Sequence, residues 1–463
     1  MPPLFTTPEI LAATQGALLQ RGASGVFCGV STDSRTCQAG ELFIPLSGER
    51  HDGHEFIPGA LRRGAGGVLL AGGAAGRAPL DLPRDVTAIA VPDTLAALGD
   101  LARAWRDRFT VPVVAITGSC GKTTTKEMTA LVLSRSYCVH KNVLNLNNLI
   151  GLPLTLLELD GGHDAAVVEM GMNHFGEIRR LTQICRPTVG VLINVYPAHT
   201  EGVGDVSGVA QAKGELLETI EGSAALVYNA DDPFIAALAR DFPGRALGFG
   251  LKPGADLRAW GRQIRGWGGQ VARCSYAGRS WTINLAVPGQ HQLYNALAAT
   301  AVGLSLGVAP AETARALGEF HAIHRRSQIV TLPSGVHLLN DCYNANPGSM
   351  ATALNTLKEM RDRGRSAAAL GDMLELGHGA VQAHRDLGRH AADTGLDLLV
   401  IYGKFSQEVA AGAQAGGMAP RRILPVASRG AGARVLKDFL QPGDWLLVKG
   451  SRSMHMEGLI DLL

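Results

Sequence analysis

Four strongly apolar runs mark the middle of the chain: VPVVAITG at 111–118, DAAVVEMG at 164–171, TVGVLINV at 188–195 and SAALVYNAD at 223–231. None shows the alternation of a half-exposed strand, and helical segments separate them. Together they predict a parallel sheet covered on both faces. Ligands of such sheets gather outside the carboxyl ends of the strands. A stretch rich in Gly, Arg and Trp, about 256–288, alternates differently and predicts an antiparallel hairpin region, followed by the helices HQLYNALAATAVGLSLG and PAETARALGEF. Before this block, short strands such as ELFIPLSG and GVLLAG lie among Gly-rich turns, and the helical stretch DTLAALGDLARAWRDRF leads into it. After it, from HAIHRRSQIV onward, the runs SAAALGDM, LDLLVIYG, RILPVA and DWLLVKG alternate again with helices. The expectation is an α/β protein of three domains: a small α/β domain over 1–92, a central parallel-sheet domain over 93–320 and a Rossmann-like α/β domain over 321–463. Joints at about 92–110 and 318–326 would permit hinge motion.

A length of 463 residues agrees with about three domains. Lys+Arg 43 against Asp+Glu 41 leaves a formal net charge of +2 without a long basic run, which gives nucleic-acid binding no support. The seven cysteines, at 28, 37, 120, 138, 185, 274 and 342, form no C-x-x-C pair and suit the reduced thiols of a cytosolic protein. The start MPPLFTTPEILAATQG lacks the charged lead and apolar core of a signal peptide, and no apolar run approaches a membrane span. A cytoplasmic protein without membrane insertion is expected.

The first apolar run ends in AITGSCGKTT, and a helix-like stretch KTTTKEMTALVLS follows. Strand, Gly-rich loop and helix in that order point backbone N–H groups at one anion, helped by the helix dipole. Gly118, Ser119, Cys120, Gly121, Lys122, Thr123 and Thr124 therefore read as a phosphate cradle, with Lys122 on phosphate oxygens and the Thr123 hydroxyl on Mg²⁺. The loop is a variant, because Ile116 stands where the full pattern has Gly. Cys120, at a helix N-terminus, is expected to have an acidic thiol. Glu169 and His199 follow apolar strands and could organise Mg²⁺ beside Thr123. Lys213, in VAQAKGELLETI, reads by itself as a solvated helix lysine. Asn147 and Asn148, in NLNNLIGLPLTLL, either bind substrate amides or cap the next helix.

Taken along its length, the chain resembles the Mur ligase family through TGSCGKTTTK, NLNNLIGLPLTLL, VVEMGM, PAHTEG, QAKGE, PGQHQLYNALAA, CYNANPGSM, LGDMLELG and LVKGSR. YNANPGSM and GDMLELG are most similar to the branch that adds D-alanyl-D-alanine to UDP-N-acetylmuramoyl-tripeptide. The resemblance implies ATP and Mg²⁺ as cofactors and carboxylate activation through an acyl phosphate. It implies Thr123, Glu169, His199 and a carbamylated Lys213 as metal ligands, with Lys122, Lys213, His199 and Arg326 catalytic. His291, Asn295, Arg326 and Asp341 would contact the nucleotide. Gln292 departs from the family's usual Asn. Tyr343, Asn344 and Asn346, with Asn147 and Asn148, would face substrate. STDSR, with Ser34 and Arg35, and GERHDGHEF look like the domain that holds the UDP-sugar. A monomer is expected. The rivals are a folylpolyglutamate synthase-like amide ligase, which lacks a UDP-sugar domain, and a P-loop motor or switch ATPase, which would need no small-molecule acceptor.

Overall fold

The computed structural model describes residues 3–48, 51–72, 82–143, 145–361 and 364–463. Part of the GERHDGHEF stretch, Glu49 and Arg50, lies outside them. Three α/β layers follow one another along the chain, as the apolar runs predict. In the first, a five-stranded sheet runs Ala17–Gln20, Thr87–Val91, Gly67–Ala71, Leu42–Phe43, Val30–Ser31, antiparallel at the first pairing and parallel thereafter.

The central sheet has nine strands. From one edge they are Val139–Lys141, Ala165–Glu169, Val113–Thr117, Val189–Leu192, Ala225–Asn229, Arg245–Gly250, Leu257–Ile264, Gln270–Tyr276 and Arg279–Leu285. Pairing is parallel until Leu257–Ile264 and antiparallel beyond it, so the Gly/Arg/Trp-rich stretch extends the same sheet instead of standing apart. Every residue of Val113–Thr117, Ala165–Glu169 and Val189–Leu192 is buried, the burial that a doubly covered sheet requires.

The third sheet, Gln328–Thr331, His337–Asn340, Trp445–Lys449, Ser366–Gly371, Leu398–Tyr402 and Ile423–Val426, is parallel except for its first pair. It meets the central hairpin on one flank. Arg262 makes a two-pronged ion pair with Glu359 at 2.8 and 2.6 Å, and the Trp267 ring lies 4.5 Å from His337 and 5.5 Å from Trp445.

The first joint is packed into both of its neighbours. Helix Thr94–Arg106 buries Leu98, Leu101, Ala102 and Trp105 in a single apolar cluster that contains Ile10, Phe27, Leu69 and Ile89 from the first layer and Leu152, Leu156 and Ile184 from the central one. Trp105 also donates to the Leu159 carbonyl at 2.8 Å. A helix packed on both sides is a wedge shared by two cores. Burying its four large and small apolar side chains is worth several kcal/mol, at ~25 cal/mol per Å².

Candidate active site

Strand Val113–Thr117 delivers Gly118, and Gly121 turns the chain at φ 81° into helix Lys122–Leu133. A side chain at 121 would be strained by that φ and would meet Asn295 Oδ1 at 2.5 Å. The loop is fastened from the next strand over. Asn194 accepts from the Cys120 N–H at 2.9 Å and donates to the Cys120 carbonyl at 3.0 Å. The Ser119 hydroxyl donates to the Tyr196 carbonyl and accepts from the Tyr196 N–H, both at 2.9 Å. Lys122 Nζ donates to the Gly118 carbonyl at 2.9 Å.

This loop floors a cleft of about 900 Å³ between the central and third layers. The cleft brings together Ser119, Cys120, Gly121, Lys122, Thr123, Thr124, Asn147, Asn148, Glu169, His199, His291, Asn295, Arg326, Asp341, Tyr343, Asn344 and Asn346, all singled out in the sequence. Glu169 closes its strand with Oε1 accepting from Asn147 Nδ2 at 2.5 Å, while its buried Oε2 has no hydrogen-bond partner among the described residues. Asn148 Oδ1 accepts from the Ile150 and Gly151 N–H groups at 3.2 and 2.8 Å, just ahead of helix Gly151–Leu157. Gln292, where the family usually has Asn, accepts from Asn295 Nδ2 at 3.2 Å; Asn295 in turn accepts from the Thr125 hydroxyl.

The far wall comes from the third layer. Arg326 sits between two residues of left-handed backbone, Arg325 and Ser327, and lays its guanidinium 3.9 Å from the centre of the Tyr343 ring. Asp341 accepts from the Ser327 N–H at 2.7 Å and pairs with Lys449 at 2.6 Å. Lys449 also donates to the Asn344 carbonyl at 2.8 Å, tying the YNAN segment to its sheet. Asn346 spans the cleft: its Nδ2 donates to the Ser119 carbonyl and its Oδ1 accepts from the Cys120 thiol. At the mouth, His199 Nδ1 lies 2.6 Å from Glu375 Oε2.

Asn194, Tyr196, Lys449 and Glu375 were not singled out by sequence reasoning. Lys449 lies within the quoted LVKGSR and Glu375 within LGDMLELG, so the motifs held a signal that their individual residues did not.

Four expected residues do not line the cleft. Gly118 opens the loop and turns its carbonyl to Lys122 Nζ. Ser34 and Arg35 lie in the first layer, where Arg35 pairs with Asp33 at 2.7 Å. Lys213 is 2% exposed, on helix Val206–Thr219, and its amine has no hydrogen-bond or ion-pair partner among the described residues. Its solvated-helix reading is therefore wrong.

Burial dominates the electrostatics. It pushes the Lys213 amine well below the usual lysine range, and the charge of Lys122 pushes the same way. Lys122 is also lowered by burial, with Glu169 opposing. Burial raises the Cys120 thiol despite the nearby lysines, which overturns the expectation of an acidic cysteine. Desolvation of the thiolate outweighs the helix N-terminus. His291 is pushed down to about 4 by burial.

Among the described residues no three His, Cys, Asp or Glu side chains converge on a metal. The donors available fit a hard cation that keeps phosphate and water ligands, with the free Oε2 of Glu169 and the Thr123 hydroxyl as oxygens.

A family model for the Mur ligase family catalytic domain matches residues 26–106, one for the Mur ligase middle domain matches 116–303, and one for the Mur ligase glutamate ligase domain matches 325–452. The chain belongs to the Mur ligase family. It is 33% identical over 94% of its length to a UDP-N-acetylmuramoyl-tripeptide--D-alanyl-D-alanine ligase of Bacillus subtilis, covering 93% of that protein. It is 35% identical to the protein of that name from Escherichia coli, over 96% of this chain and 95% of the relative. The crystal structure of MurF from Acinetobacter baumannii superposes with a TM-score of 0.91 at 30% identity, covering 100% of this chain and 99% of that one. MurF from Thermotoga maritima, in complex with ADP, gives 0.82 at 29% identity over 94% and 96%. A folylpolyglutamate synthase of Mycobacterium tuberculosis shares the fold at 16% identity over 80% of this chain.

Proposed function

We infer that the protein is an ATP-dependent ligase that joins D-alanyl-D-alanine to the terminal carboxylate of UDP-N-acetylmuramoyl-tripeptide in peptidoglycan precursor synthesis. The observation that carries this reading is a phosphate-loop cleft walled by YNANPGSM, in a chain that matches relatives of that activity nearly end to end. The folate-ligase rival accounts for only the central and third layers and leaves the five-stranded first layer without a role. A motor or switch gives YNANPGSM no purpose.

The γ-phosphoryl of ATP passes to the tripeptide carboxylate, giving an acyl phosphate and ADP. The dipeptide amine then attacks the acyl carbon, phosphate leaves and the amine's proton is lost. Two anions must meet in the first step, so the cleft has to neutralise them. Lys122 does so from the loop and Arg326 from the opposite wall, held by the Tyr343 ring. His291 and Asn295 flank the nucleotide, and Asp341, braced by Lys449, faces the ribose. Thr123, Glu169 and His199 would hold Mg²⁺, which supplies charge neutralisation and orients the phosphates. Lys213 would join them as a carbamate: its buried amine is deprotonated readily, and only the free amine reacts with CO₂. Tyr343, Asn344 and Asn346 form the wall beside the incoming dipeptide, with Asn147 on the tripeptide side. Ser34 and Arg35 would meet the UDP group in the first layer. The three layers accordingly serve as UDP-sugar, ATP and dipeptide domains, with boundaries near 92 and 320. The substrate chemistry supports the cytoplasm.

Mass analysis of products formed from ATP, D-alanyl-D-alanine and UDP-tripeptides ending in diaminopimelate or in lysine tests this. Phosphate release should require both acceptor and dipeptide. Equal release with a folate and glutamate would transfer the protein to the rival activity.

A further inference from the structure

Glu375 and His199 belong to different layers of the protein, yet their side chains meet at the cleft mouth. Both residues have left-handed backbone, His199 at φ 56° and Glu375 at φ 62°. Neither is glycine, and a long side chain at such φ is held there only by its surroundings. Two further hydrogen bonds fix the register: the Glu201 N–H donates to the Glu375 carbonyl at 3.3 Å, and the Thr200 hydroxyl donates to the Leu376 carbonyl at 3.1 Å. The side chains meet at 2.6 Å, off the ideal N–H direction.

Stability does not account for this arrangement. The Glu375 side chain is 58% exposed and that of His199 26%, and ion pairs of that kind contribute about 0–1 kcal/mol. Its effect on the imidazole is more specific. A carboxylate oxygen at 2.6 Å from Nδ1 demands a proton on that nitrogen, because two lone pairs at that distance repel. The neutral ring then carries its lone pair on Nε2, the tautomer and orientation a cation ligand needs. His199 shares the cleft with Thr123 and with Glu169, whose buried Oε2 has no hydrogen-bond partner among the described residues.

We propose that Glu375 is a positioning residue, brought by the third layer, that fixes His199 with Nε2 bare, so that the cation site becomes complete only when that layer is seated on the central one. The inference rests on the reading of Glu169 and His199 as cation ligands. It makes binding of the cation and docking of the dipeptide-bearing wall one event. An acyl phosphate exposed to water is hydrolysed, so a site that matures only on closure restrains phosphoryl transfer until the amine's wall is in place.

The test is Mn²⁺ affinity, measured by electron paramagnetic resonance with β,γ-methylene-ATP present, in the full-length protein and two variants. Glu375→Gly removes the carboxylate while relieving the backbone, so folding is preserved; thermal unfolding checks this. Glu375→Gln keeps an acceptor for Nδ1–H. The expected result is a loss of about tenfold or more in Mn²⁺ affinity for Glu375→Gly and recovery of most of it in Glu375→Gln, the size seen when the outer partner of a metal-bound histidine is removed. Parent-like affinity in Glu375→Gly, or equal loss in both variants, overturns the proposal. If the parent itself fails to bind Mn²⁺ with nucleotide, the ligand reading falls and this inference falls with it.

Discussion

The side-chain amide of Asn346 reaches across the cleft to the carbonyl oxygen of Ser119 at 3.2 Å, joining the third layer to the phosphate loop. The same residue caps helix Pro347–Met360, its Oδ1 accepting from the Ser349 N–H at 2.8 Å, and Gly348 lets that helix rest on the Tyr196 ring. One asparagine thus does two separable jobs. Asn346→Asp keeps the cap but loses the donor to Ser119 and sets a negative charge beside the phosphates. It should unfold at the parent's temperature and lose at least tenfold in kcat/KM for ATP. Asn346→Ala should lose activity and also about 1 kcal/mol of stability, read by urea unfolding.

Lys213→Arg keeps a cation but cannot form a carbamate, so turnover should fall by more than a hundredfold. Lys213→Ala should be as inactive, with partial recovery in formate or acetate. Full activity in the arginine variant would return Lys213 to a packing role.

Cys120 should be a slow nucleophile at pH 7, since burial raises its thiol. Alkylation followed by mass spectrometry should accelerate with rising pH beyond the ordinary thiol range, and ATP should slow it because Cys120 lines the nucleotide's cleft. Rapid alkylation at pH 6 would restore the acidic thiol.

His291 is held neutral in the fold, with its pKa near 4 against about 6.5 when unfolded. The unfolded chain binds the extra proton between those values, so folding stability from this group falls as pH drops from about 6.5 to 4. His291→Gln should flatten that part of the stability curve by roughly 1–3 kcal/mol in urea titrations at pH 7 and 5.

The phosphate loop was legible because Gly-Lys-Thr after an apolar run has few other uses, and the central strands because runs buried on both faces contain no polar alternation. Asn194 was not, since a single Asn beyond a strand carries no signature until its partner loop is in place. The Cys120 expectation failed for a related reason: sequence shows proximity to a helix start but not the desolvation that outweighs it. Helix Thr94–Arg106 displays its apolar stripe openly, yet nothing in the stripe says that two cores share it. The meeting of His199 with Glu375 depends on how two separately folded layers pack, which no local pattern encodes.

The order of strands in the central sheet also bears on its synthesis. Val113–Thr117 is the first of the nine to leave the ribosome, and it ends up inside the sheet, with Ala165–Glu169 on one side and Val189–Leu192 on the other. From Ala225 to Leu285 each new strand pairs with the one translated immediately before it. Growth along that edge therefore pairs each strand with a neighbour already made, first across helical crossovers and last across hairpin turns. The strand that bears the phosphate loop is thus the template for two directions of assembly, and a substitution within it endangers the nascent chain before any nucleotide can bind.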